Sequence, residues 1–358
     1  MQRVYRRFGV VYASQTTAWE MSIMEDVTMS KVALLCGGWS DEREVSLASG
    51  KECAEALKQA GFSQVDVLDV ASPDFVRAIV DGGYDVAFVA LHGRYGEDGC
   101  VQGFLELLGI PYTFSGVLAS AIAFDKAKAK AIYREHGIPT PKDIVLYVDK
   151  PLHADAVVEA LGLPVFVKPV SNGSSYGVTR VMQADQLPAA VAEAFRFGER
   201  VLVEQAVSGA EITVPVFGND HPDALPAVEI RYHAGFYDLA SKYEDPAKHH
   251  VIPPELPQAT VTRAQELACR AHRALGCSGA SRSDFIVTDD GTPYMLETNV
   301  VPGMTASSLM PDAARRAGMG FSELCRRLVE LALERGARGS EPKGVDEGAG
   351  VAGENGVA

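Results

Sequence analysis

The sequence predicts a multi-domain protein: a parallel α/β domain first, then two α+β domains. Three observations predict this. The chain has 358 residues, too many for one small core. Its first third alternates short apolar strands with helical stretches, the βαβ pattern of a parallel sheet. From Pro164 onward strands follow one another closely with few long helices, as in α+β domains. The expected limits are 29–124 for the first domain, 125–207 for the central one and 208–335 for the last. Residues 1–28 are expected to be a disordered extension, either dispensable or preceding a true start at Met29. Residues 336–358, dominated by Gly, Glu and Ala without apolar period, are expected to be a disordered tail.

Along the chain, Lys31–Leu35 reads as a strand broken by Gly37-Gly38. A helical pattern follows Ser46 and runs to Ala60, with Gly61 as its cap. Val65–Val70 and Asp85–Leu91 are further strands with a helix between them. Loops at the C-terminal ends of parallel strands carry ligand groups. Two such loops are rich in polar residues, one over 37–44 and one over 92–99. Asp125–His136 is a helix ended by Gly137 and Pro139. Pro164–Pro169, Val201–Val207 and Glu211–Phe217 read as strands. Phe236–Glu255 is polar and without period, a candidate lid, and its His249-His250 pair is read as solvent-facing. Thr260–Leu275 is a helix. Ser283–Thr288 and Tyr294–Glu297 are strands joined at Asp290-Gly291, a hairpin signal. A closing helix carries an apolar stripe of Phe321, Leu324, Cys325, Leu328, Leu331 and Ala332.

Composition narrows the function. The chain is 47% apolar and 22% charged, ordinary for a soluble globular protein. A net charge of −14 offers no broad basic surface for nucleic acid, though it leaves room for a local cationic pocket. No apolar run approaches the length of a membrane span, so no membrane partner is expected. The six scattered cysteines read as reduced thiols of a cytoplasmic protein.

Several residues can carry chemistry. Alternate residues of a strand share a face, so Glu297 and Asn299 project together, and the hairpin can set Asp284 opposite them. Such oxygen donors suit a hard cation bound with phosphate; edge charges facing solvent are the alternative. Lys168 lies inside an apolar strand, where an unpaired ammonium is costly. The following Gly173-Ser174-Ser175-Tyr176-Gly177 can cradle phosphate, although it is not a Walker-type loop. Lys126 is either a phosphate contact or one of three solvated charges with Lys128 and Lys130. Glu204 and Glu211 can border a nucleobase and a ribose. Glu42 can hold an ammonium or be a surface carboxylate, and His92 can be an acid/base or a polar loop residue.

The motifs GGWSDEREVSLASG, LHGRYGEDGCVQG, VKPVSNGSSYG, FYDLASKY, SRSDF and LETNVVPGMTASSL, with the Lys126 helix, stand in one order. In that set the chain resembles the D-alanine–D-alanine ligases of the ATP-grasp superfamily from about Lys31 to Arg335. The resemblance implies a three-domain ATP-grasp fold whose last two domains clasp ATP. It implies ATP- and Mg²⁺-dependent joining of two D-alanines through a D-alanyl phosphate, for peptidoglycan precursors. Lys126, Lys168 and Ser175 would hold phosphates, and Glu204, Gln205, Val207, Phe236 and Glu211 would surround the adenosine. Asp284, Glu297 and Asn299 would bind Mg²⁺ or Mn²⁺, two ions in all. Glu42 would take the first D-alanine's ammonium, and Ser308 and Leu309 the second one's carboxylate. Arg282 and the Gly303 N–H would stabilise the oxyanion. Ser174 and Tyr243 would join Glu42 in closing the lid, Lys242 would reach the γ-phosphate, and His92 would serve catalysis. A homodimer is also implied.

The sequence departs from the family at Val300-Val301, Gln205 and Phe114, the last where glycine is common. The alternative readings are a related ligase taking D-lactate or D-serine second, and a non-catalytic ligand-binding protein on the same fold. A nucleotide-binding oxidoreductase is set aside, because Gly37-Gly38 lacks the G-x-G-x-x-G pattern.

Overall fold

The computed structural model describes residues 27–173, 176–231 and 249–340. The first sheet is parallel, in the order β2-β1-β3: β1 (Val32–Cys36) lies between β2 (Val65–Asp69) and β3 (Val86–Val89). Every residue of β1 is buried, which explains its unbroken apolar run. Helix α1 (Arg43–Gln59) starts three residues before Ser46. Helices α2 (Phe75–Asp81), α3 (Cys100–Leu108) and α4 (Val117–Phe124) complete this region.

Helix α5 (Lys126–Glu135) leads to an antiparallel sheet of four strands in the order β4-β7-β5-β6. These are β4 (Asp143–Tyr147), β5 (Val165–Pro169), β6 (Thr179–Val181) and β7 (Arg200–Gln205), with α6 (Ala154–Leu161) and α7 (Leu187–Ala194). The third sheet is antiparallel too, in the order β11-β10-β8-β12-β13 with β9 on β8. Its strands are β8 (Ala210–Phe217), β9 (Asp223–Ala224), β10 (Val228–Ile230), β11 (His250–Val251), β12 (Ala280–Val287) and β13 (Pro293–Asn299). Helices α8 (Gln258–Leu275), α9 (Leu309–Arg316) and α10 (Phe321–Ser340) accompany it. The β12–β13 connection is the tight turn that Asp290-Gly291 predicts, with the Gly291 N–H on the Thr288 carbonyl at 2.8 Å. Among the described residues no helix is long and apolar enough to cross a membrane.

Two hydrophobic cores form. One joins the parallel sheet to the third sheet, with α10 as a shared wall through Leu324, Cys325, Leu328 and Val329. The other lies within the central sheet, around Val165, Val167, Val201 and Val203. Helix α5 belongs to the first core through Ala129 and Tyr133.

Three details differ from the sequence reading. Helix α10 continues past Gly336 to Ser340, because that glycine is interior. A Cβ on it would stand 2.6 Å from Pro111 Cγ, so a bare Cα lets the helix lie against the first domain. Val27–Met29 form a 3₁₀ turn, and Val27 packs on the core, so order begins before residue 29. His249 and His250 are not solvent-facing: His249 is 4% exposed and His250's side chain 6%. The departure at Phe114 also gains a physical reading. Its φ is +68°, a left-handed backbone costing about 1 kcal/mol outside glycine. Its ring is buried, edge-on to Phe88 at 6.2 Å, which offsets that strain.

Candidate active site

The third sheet gathers oxygen donors on one face. Asp284 on β12 stands directly opposite Glu297 on β13, and Arg282 opposite Asn299. Thr213 on β8 pairs with Asp284, and Glu211 lies two residues earlier on the same face. The Arg282 guanidinium grips Asp284 with two bonds, of 3.0 and 2.9 Å. Thr213 Oγ1 donates to the same carboxylate at 2.5 Å, and Asn299 Nδ2 at 3.0 Å. Asp284 is therefore fixed in direction by three neighbours. Among the described residues no three His, Cys, Asp or Glu side chains cluster as a metal site. Two carboxylates and a carboxamide instead fit a cation that shares its shell with phosphate oxygens, once the Asn299 amide turns its oxygen inward.

The central sheet supplies cations. Lys168 on β5 reaches Glu204 at the end of β7 at 2.9 Å. Lys130 reaches the other oxygen of Glu204 at 2.5 Å and Thr140 Oγ1 at 2.5 Å. Burial alone would raise the Glu204 carboxyl, but Lys168 and Lys130 outweigh it and hold it below the usual range. Burial pulls Lys130 down, whereas at Lys168 the Glu204 and Glu297 charges prevail and push the ammonium up. Lys126 joins the two sheets: its ammonium lies 3.1 Å from Glu297 and donates to the Asn172 carbonyl at 2.7 Å. Gln205 closes β7 and Val207 lies half-buried in the connection to β8, between the two antiparallel sheets.

The first domain supplies an acidic pocket. Glu42 sits at the N-terminus of α1. Its Oε2 lies so near Gly173 that a Cβ there would stand 2.5 Å away. His92 is buried, 3.2 Å from Ser49 Oγ and 3.4 Å from Glu97. Burial would lower His92, but Glu97 and Glu42 overcome it and raise the imidazole. Burial and the Glu42 charge raise Glu97. Beyond β13, Gly303 approaches Ser308, whose hydroxyl bonds Thr305 at 2.7 Å, and Ser308 immediately precedes α9 without a side-chain cap bond.

Ser174, Ser175, Phe236, Lys242 and Tyr243 lie outside the described residues. The rest of the expected set falls on strands of the two antiparallel sheets, at the start of α5, in the β13–α9 connection and on the loops of the first domain. Sequence reasoning missed Lys130, Thr213, Glu97 and Asp69. Lys130 had a signal: it lies four residues after Lys126, on the same helix face, while Lys128 points away and is exposed. Asp69 ends β2, pairs with Arg43 at 2.5 Å and accepts from the Gly38 and Ala71 N–H groups, so it shapes the Gly37-Gly38 loop.

Two antiparallel sheets, with Lys168 and the α5 lysines gathered at one, carboxylates on the other, and Lys126 reaching both, define an ATP-grasp ligase. The models of the D-ala D-ala ligase C-terminus and N-terminus match residues 132–330 and 71–115. The chain is 47% identical to the D-alanine–D-alanine ligase of Desulforamulus reducens, over 85% of this chain and 99% of that one. It is 47% identical to that of Aromatoleum aromaticum, over 84% of this chain and 95% of that one. Among solved structures, the Bacillus anthracis D-alanine–D-alanine ligase complexed with ATP superposes with a TM-score of 0.76 at 34% identity. That match covers 87% of this chain and 99% of the other. The chain belongs to the D-alanine–D-alanine ligase family.

Proposed function

We propose that this protein joins two D-alanine molecules into D-alanyl-D-alanine, using ATP to activate the first as an acyl phosphate, in the supply of peptidoglycan precursors. The observation that carries it is the position of Lys126, between the carboxylate face of the third sheet and the Asn172 loop of the central one. A triphosphate bound there meets Lys126 and Lys168, with Glu204, Gln205, Val207 and Glu211 beside the adenosine. Asp284, Glu297 and Asn299 are the residues that would hold Mg²⁺ or Mn²⁺, two ions in all. Such an ion supplies charge neutralisation to the transferring phosphoryl group.

The residues divide the remaining work. Glu42 binds the ammonium of the first D-alanine and so directs its carboxylate toward the γ-phosphate. Arg282, fixed in orientation by Asp284, and the Gly303 N–H face the oxygen that gains charge when the second amine attacks. The Ser308 hydroxyl and the Leu309 N–H, at the start of α9, donate to the second carboxylate. The buried His92–Glu97 pair keeps the Glu42 region ordered and polar. Ser174, Ser175, Phe236, Lys242 and Tyr243, outside the described residues, are the ones the family resemblance assigns to ATP and the lid; the acyl phosphate needs protection from water. Domain limits near 124 and 207, a cytoplasmic location and a homodimer belong to the same reading; light scattering tests the last.

The deciding experiment is phosphate release from ATP and Mg²⁺ with D-alanine, L-alanine, D-serine or D-lactate, with products identified by mass. Release with D-alanine alone and a D-alanyl-D-alanine product is expected. Turnover only when D-lactate or D-serine accompanies D-alanine would reassign the second substrate. ATP binding without any turnover would make the protein a non-catalytic binder.

A further inference from the structure

The acceptor loop between β13 and α9 has no secondary structure of its own over residues 302–304, and Ala306 is exposed. Ser308 and Leu309 must nevertheless meet a carboxylate within a few tenths of an ångström to bind it well. A line of polar contacts outside the pocket fixes this loop. The Ala306 N–H donates to Glu52 Oε2 of α1 at 2.6 Å. The Ala306 carbonyl accepts from Arg315 at 2.7 Å, and the same guanidinium donates to Asp312 Oδ1 at 2.9 Å. The other oxygen of Asp312 lies 3.0 Å from His250 Nδ1 on β11. A carboxylate only accepts, so that nitrogen carries the proton. The His250 side chain is buried while Arg315 is about half exposed, so Asp312 links a sheet residue to a surface guanidinium.

We propose that Asp312, with His250 and Arg315, is a positioning device for the second D-alanine. None of the three borders the expected carboxylate. They act by holding the Ala306 peptide, and hence Ser308 and Leu309, at one height over the start of α9. Asp312 also lies in the first turn of α9, where its charge favours the helix N-terminus. Freeing Arg315 releases one side of the Ala306 peptide and leaves only Glu52 on the other. The inference rests on the ligase reading.

The test is steady-state kinetics of the full chain, with D-alanine saturation fitted for two sequential sites. Asp312→Ala and Arg315→Met are expected to raise KM for the second D-alanine by about tenfold, as small misplacements do. KM for ATP and for the first D-alanine should stay within about twofold. His250→Ala should act in the same direction, and His250→Asn, which still donates to Asp312, should restore most of the loss. An unchanged second KM in Arg315→Met, whose exposed site tolerates substitution, would overturn the proposal. So would a uniform fall of all parameters in step with Tm, which marks a purely structural role. If the unaltered chain itself shows no D-alanine-dependent phosphate release, the ligase reading fails instead.

Discussion

The two antiparallel sheets hold their charges in opposite ways. In the central sheet Glu204 is 2% exposed and takes a lysine on each oxygen. In the third sheet, Asp284 and Glu297 are partly open, and each takes one cation, Arg282 and Lys126. The first cluster sets two ammonium groups on one buried carboxylate, with the Asp143 charge acting on both lysines. On the proposed reading, the anion that approaches Lys168 is a phosphate. The second is balanced as it stands, but Glu297 and Lys126 can each exchange the other for something better. A closed cluster with two ammonium groups on one carboxylate selects its ligand by sign, and an open balanced one does so by exchange.

The largest effect is expected on the open side. Glu297→Gln and Asp284→Asn should each lower kcat by about a hundredfold or more, with Tm nearly unchanged, since neither carboxylate is part of a core. A large drop in Tm would show that both clusters are structural and remove the contrast. Lys130→Met should do the reverse on the closed side. It removes one partner of a buried carboxylate and should cost about 3 kcal/mol in denaturant unfolding, with a smaller effect on kcat. Adding Glu204→Gln should deepen that loss, because the Lys168 ammonium then loses its carboxylate.

A third change sharpens the contrast at the first domain. In Gly173→Ala the new methyl group meets the Glu42 carboxylate, so KM for the first D-alanine should rise about tenfold while ATP binding is kept. The smallest effect concerns an ion pair of the ordinary kind, Arg43–Asp69. Hydrogen bonding from Arg43 holds Asp69 down to about 2, against an ordinary 3.8. A lowered folded value means its contribution is complete above pH 3.8 and is lost as pH falls toward 2. Acid unfolding of Asp69→Asn should therefore be shallower over that window; equal slopes would deny Asp69 its role in the loop.

Much of this was legible in the sequence, for identifiable reasons. The buried strands announce themselves by unbroken apolar runs, and the β12–β13 hairpin by its Asp-Gly turn, which was enough to set Asp284 against Glu297. Strand β11 was not legible, because a two-residue strand carries no period. With it went the burial of His249 and His250, whose partners lie far along the chain at Arg231 and Asp312. Gly336 read as an end because its reason for being glycine, Pro111, is more than two hundred residues away. Lys130 was hidden by composition: KAKAK looks like a solvated face until the helix period separates its lysines.

The separate core of the central sheet has a mechanical consequence. Its residues pack on each other, whereas the parallel and third sheets share one core. The chain enters the central sheet through residues 136–142 and leaves through 206–209. Thr140 is bonded to the Met295 carbonyl at 2.9 Å and Pro139 to the Met295 N–H at 2.8 Å, so the entry strand is clamped just before it turns into β4. The central sheet is thus a unit with a core of its own, joined to the rest through two short segments of which the first is clamped. Its amides should exchange with solvent as one cooperative block, and nucleotide, by spanning the lysines and the carboxylates, should slow that block as a whole.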